Sequence, residues 1–356
     1  MRGVLETRLA FVEGGLAGDH LRLHYYKASL PAPWRQRGSK GTSMIIKTNA
    51  DVTPAVLAEM ARADDPRMRE ILTSLVKHLH GFIRETRLTE QEFQQAAAII
   101  NRIGQKSNDS HNEAVLISGS LGVSSLVCLL NNGDNGNTET TANLLGPFWR
   151  MESPRTENGG CLLRSPTPGT PLFVEAYVKD RDGRALAGAE VDIWHCNDEG
   201  YYENQDPSQA EMNLRGKLTT DANGKIWFRT IKPIGYPIPL DGPTGDLLRM
   251  LKRHNMRPAH LHFLITKAGF KAHISQVYSS DDPNLETDSQ FGVTERLIGH
   301  YVRHENEPAP YGGVTGPWYS LSFTFNLDPG EPRLPRPPIT DKSKQPPPKI
   351  ERLVRA

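Results

Sequence analysis

The sequence has 356 residues, of which 23% are charged, and its formal net charge is +1. A chain of this length can bury a substantial core, and so balanced a charge indicates neither nucleic acid nor a membrane surface as a partner. Its three cysteines lack metal-type spacing, no apolar run is long enough to span a bilayer, and the N-terminus has no secretory signal, so we expect a reduced, cytoplasmic protein.

The first part of the chain divides by composition into an extension and a helical region. Residues 1–43 lack periodicity and end in a basic, small-residue stretch, which predicts a flexible N-terminal extension. Residues 44–135 have a helical pattern. Asp65 before Pro66 is typical of a helix start, and Thr89-Glu-Gln-Glu92 is a capping-box motif. Between them an apolar stripe recurs at helical spacing, formed by Ile71, Leu72, Leu75, Leu79, Phe82 and Ile83.

A second apolar segment, from Glu113 to Leu130, has apolar residues nearly all round. Such a pattern predicts burial, in the core or at a subunit interface. With the stripe before it, this segment offers more apolar surface than a small helical layer can bury internally. We therefore expect a homodimer held together by residues 44–135, although these helices could instead cover the sheet of their own subunit.

The composition changes after Asn131, where a run of turn-forming residues begins. Short β-type runs separated by Asn-Gly and Asp-Gly turns follow, which predicts an antiparallel β-sandwich over residues 136–327. The runs are Leu172–Val178, Glu190–His195, Ile226–Thr230, His260–Thr266, His273–Tyr278 and Ser320–Leu327. Residues 328–356 are a proline-rich tail, extended or disordered. The predicted fold class is α+β, with a helical linker and dimerisation region before the catalytic sandwich.

The most informative short segment is Arg257-Pro-Ala-His-Leu-His262. In a strand, His260 and His262 lie on one face, about 7 Å apart along the backbone, so both imidazoles can reach one metal ion. Two tyrosines, Tyr202 and Tyr236, lie where predicted strands give way to loops. Taken alone, the histidine pair and the tyrosines are more typical of satisfied packing positions than of ligands.

Taken in order, these residues resemble the iron-binding constellation of the intradiol ring-cleavage dioxygenases. Leu145-Gly-Pro-Phe148 is similar to an element that precedes the sheet in that family. The resemblance runs from about residue 55 to 327. It implies one Fe(III) per subunit, held by Tyr202, Tyr236, His260 and His262. Hard, anionic phenolates favour ferric iron, and imidazoles complete the set.

The resemblance also implies the reaction, in which a catechol-type diol binds the metal through both hydroxyls and dioxygen cleaves the ring between the two oxygenated carbons. Tyr236 would leave the metal and accept a substrate proton. Arg257 would stabilise negative charge on the ring, because its guanidinium stays protonated. Gln276, which stands where relatives also have glutamine, is a weaker candidate for a catalytic role. Family members often hold a phospholipid at the dimer interface.

Within the family, the segments Tyr236–Leu248 and Asp282–Val293 are similar to the hydroxyquinol 1,2-dioxygenase branch, which implies benzene-1,2,4-triol as substrate and maleylacetate as product. One position departs from that branch, since Gly119 stands where an aspartate is usual. The missing carboxylate keeps catechol, methylcatechols and chlorocatechols open as alternative substrates. The pocket-lining positions that the resemblance suggests are Leu116, Gly119, Leu145, Gly146, Pro147 and Arg257.

Two other classes of function remain open on the residues alone. A zinc hydrolase could use His260 and His262 with a third ligand such as His273, but the two tyrosines would then have no role. A noncatalytic binding sandwich is the second alternative, because a fold does not determine a function.

Overall fold

The computed structural model describes residues 44–133, 140–347 and 351–354. The predicted extension at residues 1–43 lies outside the described residues. Those up to Leu88 form one compact unit, and those from Thr89 onward form a second. The predicted boundary after residue 135, between helical region and sandwich, stays a prediction.

The first unit contains two helices, α1 (Asn49–Met60) and α2 (Pro66–Thr86). Asp65 caps α2 as its sequence predicts, because its carboxylate accepts the first free backbone N–H groups of the helix. The predicted apolar stripe lies along α2, but much of it faces solvent in the single chain. The exposed side chains are Ile71, Leu75, Leu79, Phe82 and Ile83.

The second unit begins with three helices, α3 (Glu90–Lys106), α4 (Glu113–Ser120) and α5 (Val123–Asn132). Thr89 and Glu92 form the predicted capping box of α3. The apolar segment predicted from Glu113 is not one helix, because the chain turns at Gly122 (φ +71°) and the two helices are bent by 79°. None of the described helices is alone long and apolar enough to cross a membrane, although α4 and α5 pass that test when taken together.

A two-layer sandwich of nine strands comes after these helices. One sheet has the order β10-β11-β1-β4, from Val302–His304, Trp318–Leu327, Pro171–Asp180 and Lys225–Ile231. The other has the order β3-β2-β7-β8-β9, from Arg215–Thr219, Glu190–Trp194, His260–Thr266, His273–Ser279 and Ile298–Gly299.

The sandwich is mixed rather than strictly antiparallel, which corrects one detail of the predicted fold. β1 pairs with β11 in parallel, and β8 pairs with β9 in parallel. All six predicted runs are strands, and their apolar residues pack between the two sheets. The core includes Leu172, Val174, Val191, Ile193, Phe228, Leu261, Phe263, Val277 and Phe325.

Three shorter elements complete this unit. A two-stranded ladder joins β5 (Tyr236–Pro237) to β6 (Met256–Arg257), with Tyr236 directly opposite Arg257. Helix α6 (Pro243–Met250) lies between these two strands in sequence. The sequence predicted neither the ladder nor α6, because each is too short to show a periodic pattern.

The chain beyond β11 is tied to the helices and the sheet by hydrogen bonds. The amide of Lys271 donates to Asp328 O (2.8 Å), and Asn112 Nδ2 donates to Pro338 O (3.1 Å). Ile339, the residue after Pro338, is buried, with 1% of its surface exposed. This C-terminal segment (residues 328–347) therefore lies against other described parts of the second unit.

Candidate metal centre

Strand β7 presents the two predicted histidines side by side. It pairs with β2 on one side and β8 on the other, and this pairing fixes its alternation. His260 and His262 therefore project from the same face, with their Nε2 atoms 3.1 Å apart. Both residues are buried, each with 1% of its surface exposed.

The two tyrosines meet these histidines from different segments. Tyr236 comes from β5, and Tyr202 comes from the loop that follows β2. The two hydroxyl oxygens are 3.1 Å apart, and that of Tyr202 lies 3.0 Å from His262 Nε2 and 3.4 Å from His260 Nε2. Four side chains from three separate segments thus bring their donor atoms to one point.

The histidine tautomers suit a metal at that point. His260 Nδ1 lies 2.7 Å from the carbonyl oxygen of Pro258, and that oxygen can only accept. The ring therefore carries its proton on Nδ1 and turns an Nε2 lone pair toward the tyrosines. His262 is held by stacking on Trp194, with ring centroids 4.7 Å apart. Two imidazoles and two phenols form a donor set that fits a hard trivalent cation.

Burial sets the protonation of the four groups. It lowers the pKa of His260 to about 3, so this imidazole is neutral and able to donate a lone pair. It raises the pKa of Tyr236 to about 12 and that of Tyr202 well above its usual value. A cation at the centre acts in the opposite direction on both tyrosines, because it stabilises the phenolate form.

Arg257 lies against this centre and is itself held in place from several sides. Its Nη1 is 3.3 Å from His260 Nε2, and 3% of its surface is exposed. Asp288 pairs with it at two points, Nε to Oδ1 and Nη2 to Oδ2, both at 3.1 Å. The guanidinium therefore keeps its charge and its orientation in a buried site.

Gln276 connects this arginine to the backbone in front of the sheet. Its Oε1 accepts hydrogen bonds from Arg257 Nη2 (2.9 Å) and the Tyr278 hydroxyl (2.7 Å). Its Nε2 donates to Leu144 O at 2.7 Å. In this structure Gln276 positions Arg257 and the Leu145-Gly-Pro-Phe148 segment, and it has no contact of its own with the four donor atoms.

A cavity of about 770 Å³ opens in front of the centre. Tyr236 and Arg257 line it, and all the pocket positions suggested by the sequence do so as well. These positions are Leu116, Gly119, Leu145, Gly146 and Pro147. Arg336, Pro337 and Pro338 of the C-terminal segment supply another part of the lining. A volume of this order accommodates a substituted aromatic ring.

Gly146 brings the backbone up against the metal centre. Its φ is +73°, and a β-carbon there would lie 3.0 Å from His262 Cε1. Glycine is needed at this position for two reasons. It adopts the left-handed backbone without strain, and it has no side chain that would clash with the imidazole of His262.

The zinc-hydrolase alternative lacks a third protein ligand in the described part of the chain. The residues that the structure describes contain no group of three or more histidine, cysteine or acidic side chains able to hold a metal. His273 instead places its Nε2 3.0 Å from the hydroxyl of Thr141.

Three residues that contribute to this site were not singled out from the sequence. Asp288 and Gln290 lie inside the segment Asp282–Val293, which was noted only for its similarity to one family branch. Tyr278 ends a predicted strand. No sequence pattern around these three residues indicates a role. Each one acquires its role from a partner elsewhere in the chain: Asp288 from Arg257, Gln290 from Gly119 and Tyr278 from Gln276.

Comparison with known proteins agrees with this geometry. Residues 65–138 match a family model described as "Catechol dioxygenase N terminus", and residues 145–329 match one described as "Dioxygenase". A hydroxyquinol 1,2-dioxygenase of Rhizobium sp. is 38% identical over 276 residues, which cover 76% of this chain and 92% of that protein. A catechol 1,2-dioxygenase of Candida albicans is 36% identical over 277 residues, covering 77% and 91%.

Solved structures lead to the same family. The hydroxyquinol 1,2-dioxygenase of Pseudomonas putida superposes with a TM-score of 0.70 at 34% identity, over 79% of this chain and 99% of that one. The helical region before a sandwich, predicted from the sequence, is the architecture of these relatives. The chain belongs to the intradiol ring-cleavage dioxygenases, oxidoreductases that act on catechols.

Proposed function

We propose that this enzyme cleaves hydroxyquinol (benzene-1,2,4-triol) with dioxygen to give maleylacetate, using one Fe(III) per subunit held by Tyr202, Tyr236, His260 and His262. The observation that carries the proposal is the convergence of the four donor atoms, four pairs of which are separated by 3.0 to 3.4 Å. The similarity to hydroxyquinol 1,2-dioxygenases at 34–38% identity supports the choice of substrate.

When bound, ferric iron would orient the substrate's two adjacent hydroxyls, supply the charge that favours their deprotonation, and activate the ring for attack by dioxygen. The protein's own groups do the remaining work. The Tyr236 oxygen, at the cavity wall, accepts a proton from the incoming diol. The Arg257 guanidinium, beside His260, stabilises negative charge that moves onto the ring.

The overall reaction balances without any further reductant. One molecule of triol and one of dioxygen give one molecule of ring-opened dicarboxylate, and both oxygen atoms end in the product. Cleavage falls between the two carbons that carry the adjacent hydroxyls. Turnover under ¹⁸O₂ therefore gives a product heavier by two labelled atoms, whereas a single labelled atom would contradict the assignment.

Catechol is the second candidate substrate, giving cis,cis-muconate. It is favoured by the similarity to a catechol 1,2-dioxygenase over 91% of that relative's length. A panel of benzene-1,2,4-triol, catechol, 4-methylcatechol and 4-chlorocatechol decides between the two. A kcat/KM for the triol well above that for catechol supports hydroxyquinol, and the reverse order assigns the enzyme to catechols.

The iron centre is tested by the visible absorption spectrum of the purified protein, before and after anaerobic addition of the triol. We expect a broad tyrosinate-to-iron(III) band that moves to longer wavelength when the triol binds. A protein that stays colourless after ferric reconstitution would remove the iron–tyrosinate assignment. The zinc and noncatalytic alternatives would then have to be reconsidered.

We also propose a homodimer whose interface includes the exposed stripe of α2. Leu75 and Leu79 are 57% and 50% exposed in the single chain, more than a soluble helix surface usually shows for neighbouring apolar residues. Light scattering at several protein concentrations tests the dimer, with Leu75→Glu/Leu79→Glu expected to give monomers. A phospholipid held at the interface, which the family resemblance implies, would be found by mass spectrometry of a solvent extract.

A further inference from the structure

The space above Gly119 is filled by another side chain, that of Gln290. A β-carbon at position 119 would lie 1.8 Å from Gln290 Oε1 and 2.8 Å from its Cδ. Gly119 lies within α4, where any residue can adopt the backbone conformation. Glycine is therefore required here for space and not for its torsion angles, and the amide of Gln290 occupies the volume that a side chain at position 119 would take.

The Gln290 amide is held firmly in that position. Its Nε2 donates to the hydroxyl of Ser120 at 2.6 Å, and its backbone N–H donates to Asp288 Oδ1 at 3.1 Å. The same carboxylate oxygen accepts a hydrogen bond from Arg257 Nε. Gln290 is 5% exposed, so its side chain is both buried and tied to the residue that orients the active-site arginine.

The Oε1 atom at the other end of this amide lies against Gly119. No described residue donates a hydrogen bond to Gln290 Oε1, although the side chain is almost fully buried and lines the cavity together with Gly119. An amide oxygen at a cavity wall that has no donor among the described residues can accept a hydrogen bond from a ligand. The wall of the cavity thus carries an amide that is fixed in position beside Gly119.

We propose that Gln290 is a specificity-determining residue, whose amide oxygen accepts a hydrogen bond from the ring hydroxyl that does not take part in chelation. This inference rests on the proposed function and narrows it to rings that carry a hydrogen-bond donor beside the diol. Gln290 supplies, in the space beside Gly119, the acceptor that Gly119 cannot provide. The acceptor is neutral, so it does not repel a phenolate elsewhere on the ring as a carboxylate would.

The test compares the ratio of kcat/KM for benzene-1,2,4-triol to that for catechol in the parent and in Gln290→Leu. Leucine keeps the volume and removes the acceptor, so we expect the ratio to fall by about 10- to 100-fold. Anaerobic titration of the visible band gives the Kd of each substrate, and the triol should lose affinity by a similar factor. Gln209→Leu is the matched control, since Gln209 is 9% exposed and does not line the cavity.

A second pair of variants tests the contact with Gly119. In the parent enzyme, Gly119→Ala should lower the triol-to-catechol ratio of kcat/KM, because the added methyl group displaces the amide of Gln290. In a Gln290→Ala background the same substitution should have little effect on this ratio. Moving the acceptor back, in Gly119→Asp/Gln290→Val, should recover at least part of the preference for the triol. Equal effects of Gly119→Ala in both backgrounds would show that the two positions do not interact.

The outcomes separate this inference from the function on which it rests. If the parent shows no iron–tyrosinate band or cleaves no diol, the proposed function fails. If the parent cleaves the triol and Gln290→Leu keeps its band and an unchanged ratio, only the role of Gln290 fails. A ratio that falls in Gln290→Leu but not in Gln209→Leu supports the inference.

Discussion

Arg257 and Asp288 form a two-point ion pair in which both residues are almost completely buried, with exposed fractions of 3% and 5%. Two charges out of water are stable only when they are closely paired and hydrogen-bonded. The pair connects Arg257 to the loop between the two 3₁₀ turns Leu285–Thr287 and Glu295–Leu297, which also carries Gln290. The electrostatics of the metal centre and the shape of the cavity therefore depend on one carboxylate.

The first prediction concerns a variant in which the carboxylate of Asp288 loses its charge. Asp288→Asn leaves Arg257 buried without a counter-charge, so we expect a loss of roughly 3–5 kcal/mol in the free energy of unfolding and a marked fall in kcat. Urea denaturation and steady-state kinetics measure the two effects. Asp182→Asn is the control, because its pair with Arg184 is exposed and should contribute less than about 1 kcal/mol. Similar losses in the two variants would refute the role given to Asp288.

The second prediction concerns the contact between Gly146 and His262. Gly146→Ala places a methyl group 3.0 Å from the imidazole and also strains a left-handed backbone. Gly183→Ala has a similar φ of +81° but nothing within 4 Å, so it carries the backbone strain alone. We expect both variants to lose about 1 kcal/mol of stability from the backbone, but only Gly146→Ala to shift the iron–tyrosinate band and reduce turnover.

The third prediction tests the proposed proton acceptor. In Tyr236→Phe the phenolate of Tyr202 remains, so a weakened charge-transfer band should persist while kcat falls by at least about 10²-fold. Tyr301→Phe is the matched control, because Tyr301 is also buried and its hydroxyl bonds only the carbonyl of Val277 among the described residues. A Tyr236→Phe enzyme with near-parental kcat would contradict the assignment.

The fourth prediction follows from two buried histidines that are not among the four candidate metal ligands. Burial lowers the pKa of His195 and of His273 to about 4, against 6.5 when the chain is unfolded. Between pH 6.5 and 4 the unfolded chain binds more protons, so stability is retained above pH 6.5 and is lost as the pH falls. Each histidine contributes a slope of up to about 1.4 kcal/mol per pH unit.

Urea midpoints measured from pH 7 to pH 4 check this slope. His273→Gln should be less stable than the parent at pH 7, because the imidazole of His273 forms a hydrogen bond with Thr141. Its free energy of unfolding should nevertheless fall less steeply than that of the parent as the pH is lowered. His300→Gln serves as the exposed control and should keep the parental slope. A decline of equal steepness in His273→Gln would exclude His273 as a source of the pH dependence.

The sequence predicted those features that depend on short-range pattern. The caps at Asp65 and Thr89 were predictable because the capping residues lie within three positions of the groups they bond. The convergence of His260 and His262 was predictable because strand geometry has a period of two. Tyr202 and Tyr236 were identified only through their order relative to those histidines, since their meeting point is set by loops.

The features that could not be predicted all depend on contacts between distant segments. The parallel pairing of β1 with β11 joins the first and last strands of the sandwich, and no local pattern distinguishes it from an antiparallel pairing. In the same way, Gly119 alone indicated only a missing carboxylate. The residue that fills its space, Gln290, comes from a segment 171 positions further along the chain and packs directly against it.

Because the C-terminal segment forms part of the cavity wall, the wall is completed later in synthesis than the set of four donor residues. Pro337 and Pro338 line the cavity, and Pro338 is bonded to Asn112, although both prolines lie beyond residue 329, where the match to the family model ends. A chain is synthesised from its N-terminus. The four donor residues are therefore all made well before the last part of the cavity wall, and a nascent chain can gather its donors before it can enclose a substrate.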